Sequence, residues 1–487
     1  MPHRRSAIPL AILAASALWG CGILRPPDMT TRREIAALTG PRRPLILIHG
    51  FLGSKLRHPG THEVAWGTMA NVLRGGDTDD LALALDDADA SAPGEALEAY
   101  EIYDSLWGVD YYREILRSLR AAGGYQIGDI EAPRPGDNAF VFVYDWRRDI
   151  SDSARRLADA IGRLKAARGD PSERFDLVAH SQGGLVARWY VKYGAVPLEG
   201  LQAPFRPTMA GAAHVGKVVL IGTPNRGCLE SLKVLHRGIK KVFRPMRPEV
   251  VFTMPSVFQM LPPPGPSLFA DPSGSPRDLD LYDPGTWVRQ EWSVFAPEAQ
   301  RRIERRIRKR DGEVSMERHN GRLRQALEQS LRDARRFQNA MEASAGGPEV
   351  DYHAFGGDCI STLKTAIVAG DSERPELHFD QTGLNDAGAA SRLAEVLYGP
   401  GDGTVLMQSL LAIPDPGEPE QGRDEESPLL LRSAFFVCGS HGVLPNDPIF
   451  QNNLLYLLLW KDDQPGAGPR QPPHIDAPQP AHVDSRR

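Results

Sequence analysis

The 487-residue chain predicts an α/β fold with a mostly parallel central sheet, flanked by helices and interrupted by large insertions. Two observations carry that prediction. Four short apolar runs, at 45–48, 140–143, 175–178 and 218–221, are bounded by turn residues and are continuous, not alternating, as in strands covered on both faces. Helical stretches fall between them, such as 151–167, where Leu157, Ile161 and Leu164 recur near a 3.6-residue period. Strands that alternate with helices pair in parallel, because each crossover needs an element to return the chain.

Two further runs, 350–355 and 434–438, extend the sheet, and the apolar stretch 452–460 predicts a closing helix. The expected organisation is a core in two parts, 44–225 and 346–462, separated by a cap or lid at 226–345. Within the first part, residues 75–95 hold Asp77, Asp79, Asp80, Asp86, Asp87 and Asp89 among small residues and read as a solvated acidic loop. Their spacing fits no calcium loop. In the cap, the basic stretch 301–310 with Ile303 and Ile307 reads either as a solvated helix face or as a contact for anionic lipid.

The ends differ in composition from this frame. His3, Arg4 and Arg5 precede an apolar run from Ala7 to Trp19, then Gly20 and Cys21. This is the order of a secretory signal over 1–20, and its end resembles a bacterial lipobox, which implies lipidation of Cys21, with plain signal cleavage and an uncleaved anchor as the alternatives. Residues 21–43 are then a lipidated N-terminus and linker. The expected location is the bacterial envelope, on the outer membrane or the periplasmic face, with the membrane surface as a partner through the anchor. Residues 463–487, rich in Pro, Gly and Gln, predict a disordered tail.

A formal net charge of -5 provides no field that would gather a polyanion, so nucleic acid is not an expected partner. With Cys21 set aside, Cys228, Cys359 and Cys438 remain, an odd number that permits one disulfide at most. Cys359 and Cys438 each follow a predicted core strand and are the candidate pair. Free buried thiols are equally compatible with the sequence.

The chemistry is carried by residues at the ends of these strands. Ala179-His180-Ser181-Gln182-Gly183-Gly184 stands between a strand and a helical stretch, the context of a nucleophile elbow, with Ala179 where glycine is usual. Ser181 is the candidate nucleophile. His49-Gly50-Phe51-Leu52-Gly53-Ser54 follows the first strand, where an oxyanion loop belongs, and the backbone N–H groups of Phe51 and Gln182 are the candidate donors. Asp402, between two glycines, and His441, just past the last strand, complete a Ser-His-Asp set in the order expected of an α/β-hydrolase. Asp358 is the alternative acid. His353 and His378 read as structural, and His58 and His62, separated by Pro59 and Gly60, do not share a helix face, so neither a metal nor a cofactor is called for.

Six segments together resemble the lecithin:cholesterol acyltransferase family, particularly its bacterial members: HGFLGS at 49–54, YDWRRD at 144–149, AHSQGGLVAR at 179–188, IGTPNRG at 221–227, GDGTV at 401–405 and SHG at 440–442. The resemblance runs from about Pro44 to Trp460. It implies a lipid-acting acyl enzyme, an O-acyltransferase or a lipase or phospholipase, with Ser181, Asp402 and His441 as its triad. It also implies that Asp145, Trp146 and Arg147, together with Leu52, lie at the acyl-binding end of the site. A pairing of Asp145 with Arg147 that merely braces a strand end is the alternative. The segment 254–262 is similar to a family segment that lines an acyl tunnel, or is ordinary cap packing. A soluble-ester esterase or amidase and a non-catalytic envelope scaffold are the rival functions.

Overall fold

The structure, a computed structural model, describes residues 29, 34, 42–68, 78–85, 92–103, 105, 106, 109–240, 245–265, 267–311, 315–344, 350–371, 374–382, 390–414 and 429–459. The predicted signal, Cys21, Asp77, Asp86, Asp87, Asp89 and the tail at 463–487 lie outside these residues.

Seven strands form the central sheet: β1 (Leu45–Ile48), β2 (Ile127–Gly128), β3 (Ala139–Phe142), β4 (Phe175–His180), β5 (Val215–Ile221), β6 (Asp351–Gly357) and β7 (Leu431–Val437). Their order is β7-β6-β5-β4-β1-β3-β2, and every neighbouring pair is parallel. The helices that concern the site are α1 (Arg113–Ala121), α2 (Ile150–Arg168), α3 (Gln182–Tyr193), α4 (Ser315–Glu342) and α5 (Pro448–Leu459).

The continuous apolarity of the strands follows from packing on both faces. Ile46, Ile48, Leu177, Ala179, Val218 and Leu220 share one core with Leu157 and Ile161 of α2 and Leu185 and Trp189 of α3. The alternate residues Leu45, Leu47, Val178, Val219 and Ile221 share another with Ile115 and Leu119 of α1 and Leu454 and Leu455 of α5. Side chains of a strand point to opposite faces in turn, so a strand with a helix layer on each side has no solvent-facing positions. Helix α2 begins where the Asp149 carboxylate accepts the N–H of Ser151 (2.7 Å) and ends at Gly169, whose φ of 70° suits a left-handed cap.

From β1 the chain builds β2 and β3 on one side, then crosses to β4 and the remaining strands on the other. That reversal opens a crevice beyond the carboxyl ends of β1 and β4, where open α/β sheets bind ligands.

Long helix α4 in the 226–345 insertion docks its C-terminal end on the helix that follows Ser181. Tyr193 Oη donates to Ala340 O (2.7 Å), and Lys192 Nζ donates to Met341 O (2.6 Å) and Ala343 O (2.7 Å). Arg188 donates to Met341 O as well (3.2 Å). Two buried cations thus satisfy carbonyls that a helix end leaves without internal partners. The insertion also draws in later chain: Ala366–Gly370 pairs with Phe269–Ala270, outside the central sheet. Ile360–Leu363 pairs with Tyr398–Gly401 within the second core part. The basic stretch forms part of a helix at Pro297–Asp311 that buries Ile303 and Ile307 and ties Arg306 to Asp79 of the acidic loop (2.8 Å).

Cys359 and Cys438 form a disulfide across 79 residues, joining the chain just beyond β6 to the residue after β7. Cys228 is a buried free thiol.

Candidate active site

Ser181 occupies the one-residue turn between β4 and α3, with φ 55° and ψ -126°. A side chain in that region costs on the order of 1–3 kcal/mol and persists only where the surroundings impose it. Here they do. The Ser181 N–H donates to Ile221 O on β5 (2.7 Å), and α3 approaches β1 and β5 so closely that a Cβ on Gly183 would stand 2.4 Å from His49 O. On Gly184 it would stand 1.9 Å from Thr223 Oγ1. Small residues at these positions are therefore a steric requirement, and the serine hydroxyl is held at the positive end of α3.

His441 and Asp402 meet Ser181 from the other side of the crevice. His441 Nε2 lies 2.8 Å from Ser181 Oγ, and His441 Nδ1 lies 2.7 Å from Asp402 Oδ2. The second carboxylate oxygen of Asp402 accepts the N–H groups of Thr404 (3.0 Å) and Val405 (2.7 Å). Burial pushes the Asp402 carboxyl upward, but the adjacent His441 imidazole and those two N–H groups outweigh it and hold the carboxyl below its ordinary value. Because the carboxylate can only accept, Nδ1 of His441 carries its proton and Nε2 is free to take one from the serine. Gly222, with φ 53°, passes so near that an added Cβ would lie 2.9 Å from Asp402 Oδ2 and 3.0 Å from His441 Nδ1.

The turn after β1 faces Ser181. Gly53 N–H closes it on Gly50 O (3.0 Å), and Leu52 takes a left-handed φ of 63°. Neither the Phe51 N–H nor the Gln182 N–H has a protein acceptor among the described residues. The turn is braced from below. The His49 ring stacks on Tyr144 at 4.3 Å, and its Nε2 accepts the Tyr144 N–H (3.2 Å). Burial pushes His49 down to about 4, so it is neutral and its Nδ1 donates to Gly50 O (2.8 Å). Gln182 donates to Trp146 O (3.1 Å), and Tyr144 Oη lies within hydrogen-bond reach of both His49 O and Gln182 Oε1.

The residues expected at the acyl-binding end need correcting. Arg147 has no exposed surface: its guanidinium grips Asp145 through two nitrogens (2.9 and 2.7 Å) and donates to Leu81 O and Gly94 O. All its polar reach is spent on Asp145 and on pinning Leu81 and Gly94 to the strand end, which is the bracing alternative. Trp146 is equally enclosed, edge-on to Phe51 at 5.0 Å, with Nε1 donating to Ser54 O (3.1 Å). It supports the turn after β1 from behind. Of the four, Leu52 alone, half-buried beside Phe51, retains a surface that a substrate can touch. Segment 254–262 is packed: Ser256 donates to Trp146 O (2.7 Å), and Met254, Val257, Phe258 and Leu261 are buried.

Asp358 is exposed, and Asp402 occupies the position beside His441 Nδ1 that it would have needed. His353 contacts Ser433 Oγ across β6 and β7 (2.9 Å), and His378 pairs with Glu376 in the small outer sheet (3.0 Å). His58 and His62 sit on a surface hairpin. No cluster of three or more metal-ligating side chains occurs among the described residues. The sequence carries no local signal for Tyr112 or for the role of the His180 side chain, whose partners are 62 to 261 residues away along the chain.

No protein-family model matches the chain, and no curated protein sequence does. Among solved structures it is similar to a chain of the Tle4-Tli4 complex, at 16% identity over 86% of this chain and 98% of that one, with a TM-score of 0.53. The fold is that of the α/β hydrolases. Less similar structures include EstA from Clostridium botulinum, at 14% identity over 86% of this chain and 87% of that one (TM-score 0.34). Bacillus licheniformis lipase BlEst2 in its mature form is another, at 11% identity over 86% and 93% (TM-score 0.30). At 16% identity the likeness to the chain of the Tle4-Tli4 complex is one of fold, and in this hydrolase fold the turn after β4, the turn after β1 and the loops after β6 and β7 converge.

Proposed function

We propose that this α/β-hydrolase is a serine-dependent acyl-ester enzyme acting on lipids through an acyl-enzyme intermediate. The observation that carries the proposal is the unbroken line from Asp402 Oδ2 through His441 to Ser181 Oγ, with contacts of 2.7 and 2.8 Å, at a strained turn that aims the serine hydroxyl at the imidazole. Ser181 Oγ attacks the ester carbonyl while His441 Nε2 takes its proton, and the negative charge that forms on the carbonyl oxygen is met by the N–H groups of Phe51 and Gln182. His441 then gives the proton to the departing alcohol. In the second half, His441 activates an acceptor hydroxyl, which attacks the acyl-serine and frees the enzyme.

The lipid class is supported by the likeness of six motifs to the lecithin:cholesterol acyltransferase family and by the half-buried apolar pair Phe51 and Leu52 beside the serine. Water as acceptor makes the chain a lipase or phospholipase; a lipid alcohol makes it an O-acyltransferase. Attachment through a lipidated Cys21 would hold the crevice at a membrane, and Cys21→Ser is expected to move the protein from the membrane fraction to the soluble one.

The test is labelling with a fluorophosphonate, then mass spectrometry of lipids after incubation with phospholipid and an alcohol. Label and product that vanish in Ser181→Ala are expected. Label that persists in that variant rejects the nucleophile, and new acyl esters as against free fatty acid distinguish transfer from hydrolysis.

A further inference from the structure

A single run of hydrogen bonds links the turn that faces the carbonyl oxygen to the loop that carries the base. Gly50 N–H donates to Tyr112 Oη (2.9 Å), and Tyr112 Oη lies 2.7 Å from His180 Nδ1. His180 Nε2 lies 3.0 Å from the backbone carbonyl of His441. The direction of each bond is forced: the carbonyl can only accept, so Nε2 of His180 bears the proton, Nδ1 accepts, and the Tyr112 hydroxyl donates to it. All three residues before His441 are enclosed, with Tyr112 3% and His180 5% exposed.

His441 is thereby clamped at both of its backbone polar groups. Its N–H donates to Asp402 O (2.9 Å), and its C=O is held by the residue next to the nucleophile. Gly50, at the far end, abuts the serine itself: an added Cβ there would lie 2.7 Å from Ser181 Cβ. We propose that His180, oriented by Tyr112, is a positioning residue for the general base, and that the pair fixes the distance between the oxyanion turn and His441. The proposal rests on the serine-enzyme reading given above. Burial, and then the nearby His441, push the His180 imidazole down to about 3, so it remains a neutral donor with one fixed tautomer while His441 takes up and releases a proton. A second ionising imidazole, with ring centres 4.9 Å apart, would repel the charge that forms on the base.

The bridge acts on geometry, and a displacement of the base by a fraction of an ångström is felt in the chemical step more than in ground-state binding. The experiment is steady-state hydrolysis of a p-nitrophenyl ester by the full chain, with kcat expressed per serine titrated by a fluorophosphonate. Such normalisation removes losses that come only from misfolded protein. His180→Leu is expected to lower kcat per titrated site by about tenfold or more, with KM changed by less than about twofold. His180→Gln, whose amide nitrogen reaches a similar point, is expected to restore most of the loss. Tyr112→Phe is expected to lower kcat per site by several-fold, and to add nothing further in the His180→Leu background, because the two act in one chain of contacts. A kcat per site within about twofold of wild type in both His180→Leu and Tyr112→Phe overturns the proposal. If His180→Leu yields no folded protein, Tyr112→Phe alone decides, by the same threshold. Failure of the underlying reading is separate: in that case wild type itself carries no serine-dependent label.

Discussion

Strand β4, which delivers Ser181, is buried at all six positions and has a strand on either side, whereas β7, which delivers His441, is the edge of the sheet and is half-buried or exposed along its whole length. The candidate nucleophile is therefore held by packing. Its strained backbone is imposed by β1, β5 and α3, and the glycines that let them close in leave no room for an alternative. The candidate base is held by attachments. A disulfide three residues upstream, the Asp402 side chain and backbone, and His180 each fasten a loop that hydrophobic burial alone does not restrain. Precision at an active site can thus come from a core or from a set of specific tethers, and only the second kind can be cut without unfolding the sheet.

The strongest way to break this comparison is to remove either reacting group. Ser181→Ala and His441→Ala are each expected to lower kcat for ester hydrolysis by roughly ten-thousandfold or more, with thermal midpoints close to wild type. Asp402→Asn, which keeps the shape but loses the charge and permits the wrong tautomer, is expected to lower kcat by about 10³–10⁴-fold in the same assay. A rate near wild type in any of the three removes the site.

Stability sharpens the contrast between the two sides. Leu177→Ala in β4 is expected to cost about 2–5 kcal/mol in urea unfolding, while Leu431→Ala in β7, half-buried, costs about 1 kcal/mol. Equal losses would mean that the edge is packed as tightly as the centre. Replacing both Cys359 and Cys438 by Ser is expected to cost about 2–4 kcal/mol, through the 79-residue loop that the disulfide closes in the unfolded chain. It should also lower kcat, because the tether lies beside the base.

The smallest expected effect is one of pH. The Asp402 carboxyl titrates below its ordinary value of 3.8 in the folded chain, so folding favours its ionised form. Its contribution is complete above about pH 5 and is lost as the pH falls through the lowered folded value. Unfolding midpoints measured from pH 6 down to about pH 3 are expected to fall more steeply in wild type than in Asp402→Asn. Parallel curves would show that the carboxylate is not held by the base.

Much of the arrangement was legible in the residues themselves. Continuous apolar runs mark strands because two helix layers leave them no wet face, the candidate nucleophile and base each stand at a small-residue turn just past such a run, and the candidate acid stands between two glycines. Those signals are local, and they settle which atoms can reach the crevice. Tertiary structure alone decided what the neighbours do. Asp145, Trp146 and Arg147 have the character of a binding motif yet bond to one another and their neighbours, to Ser54 in the turn after β1 and to Leu81 and Gly94. The open question of the thiols became a disulfide, and Tyr112 and His180 became a bridge. The physical reason is common to all of them. A hydrogen bond or a covalent link between groups 53 to 261 residues apart depends on how the sheet brings strand ends together, and no periodicity or spacing in a linear chain encodes that distance.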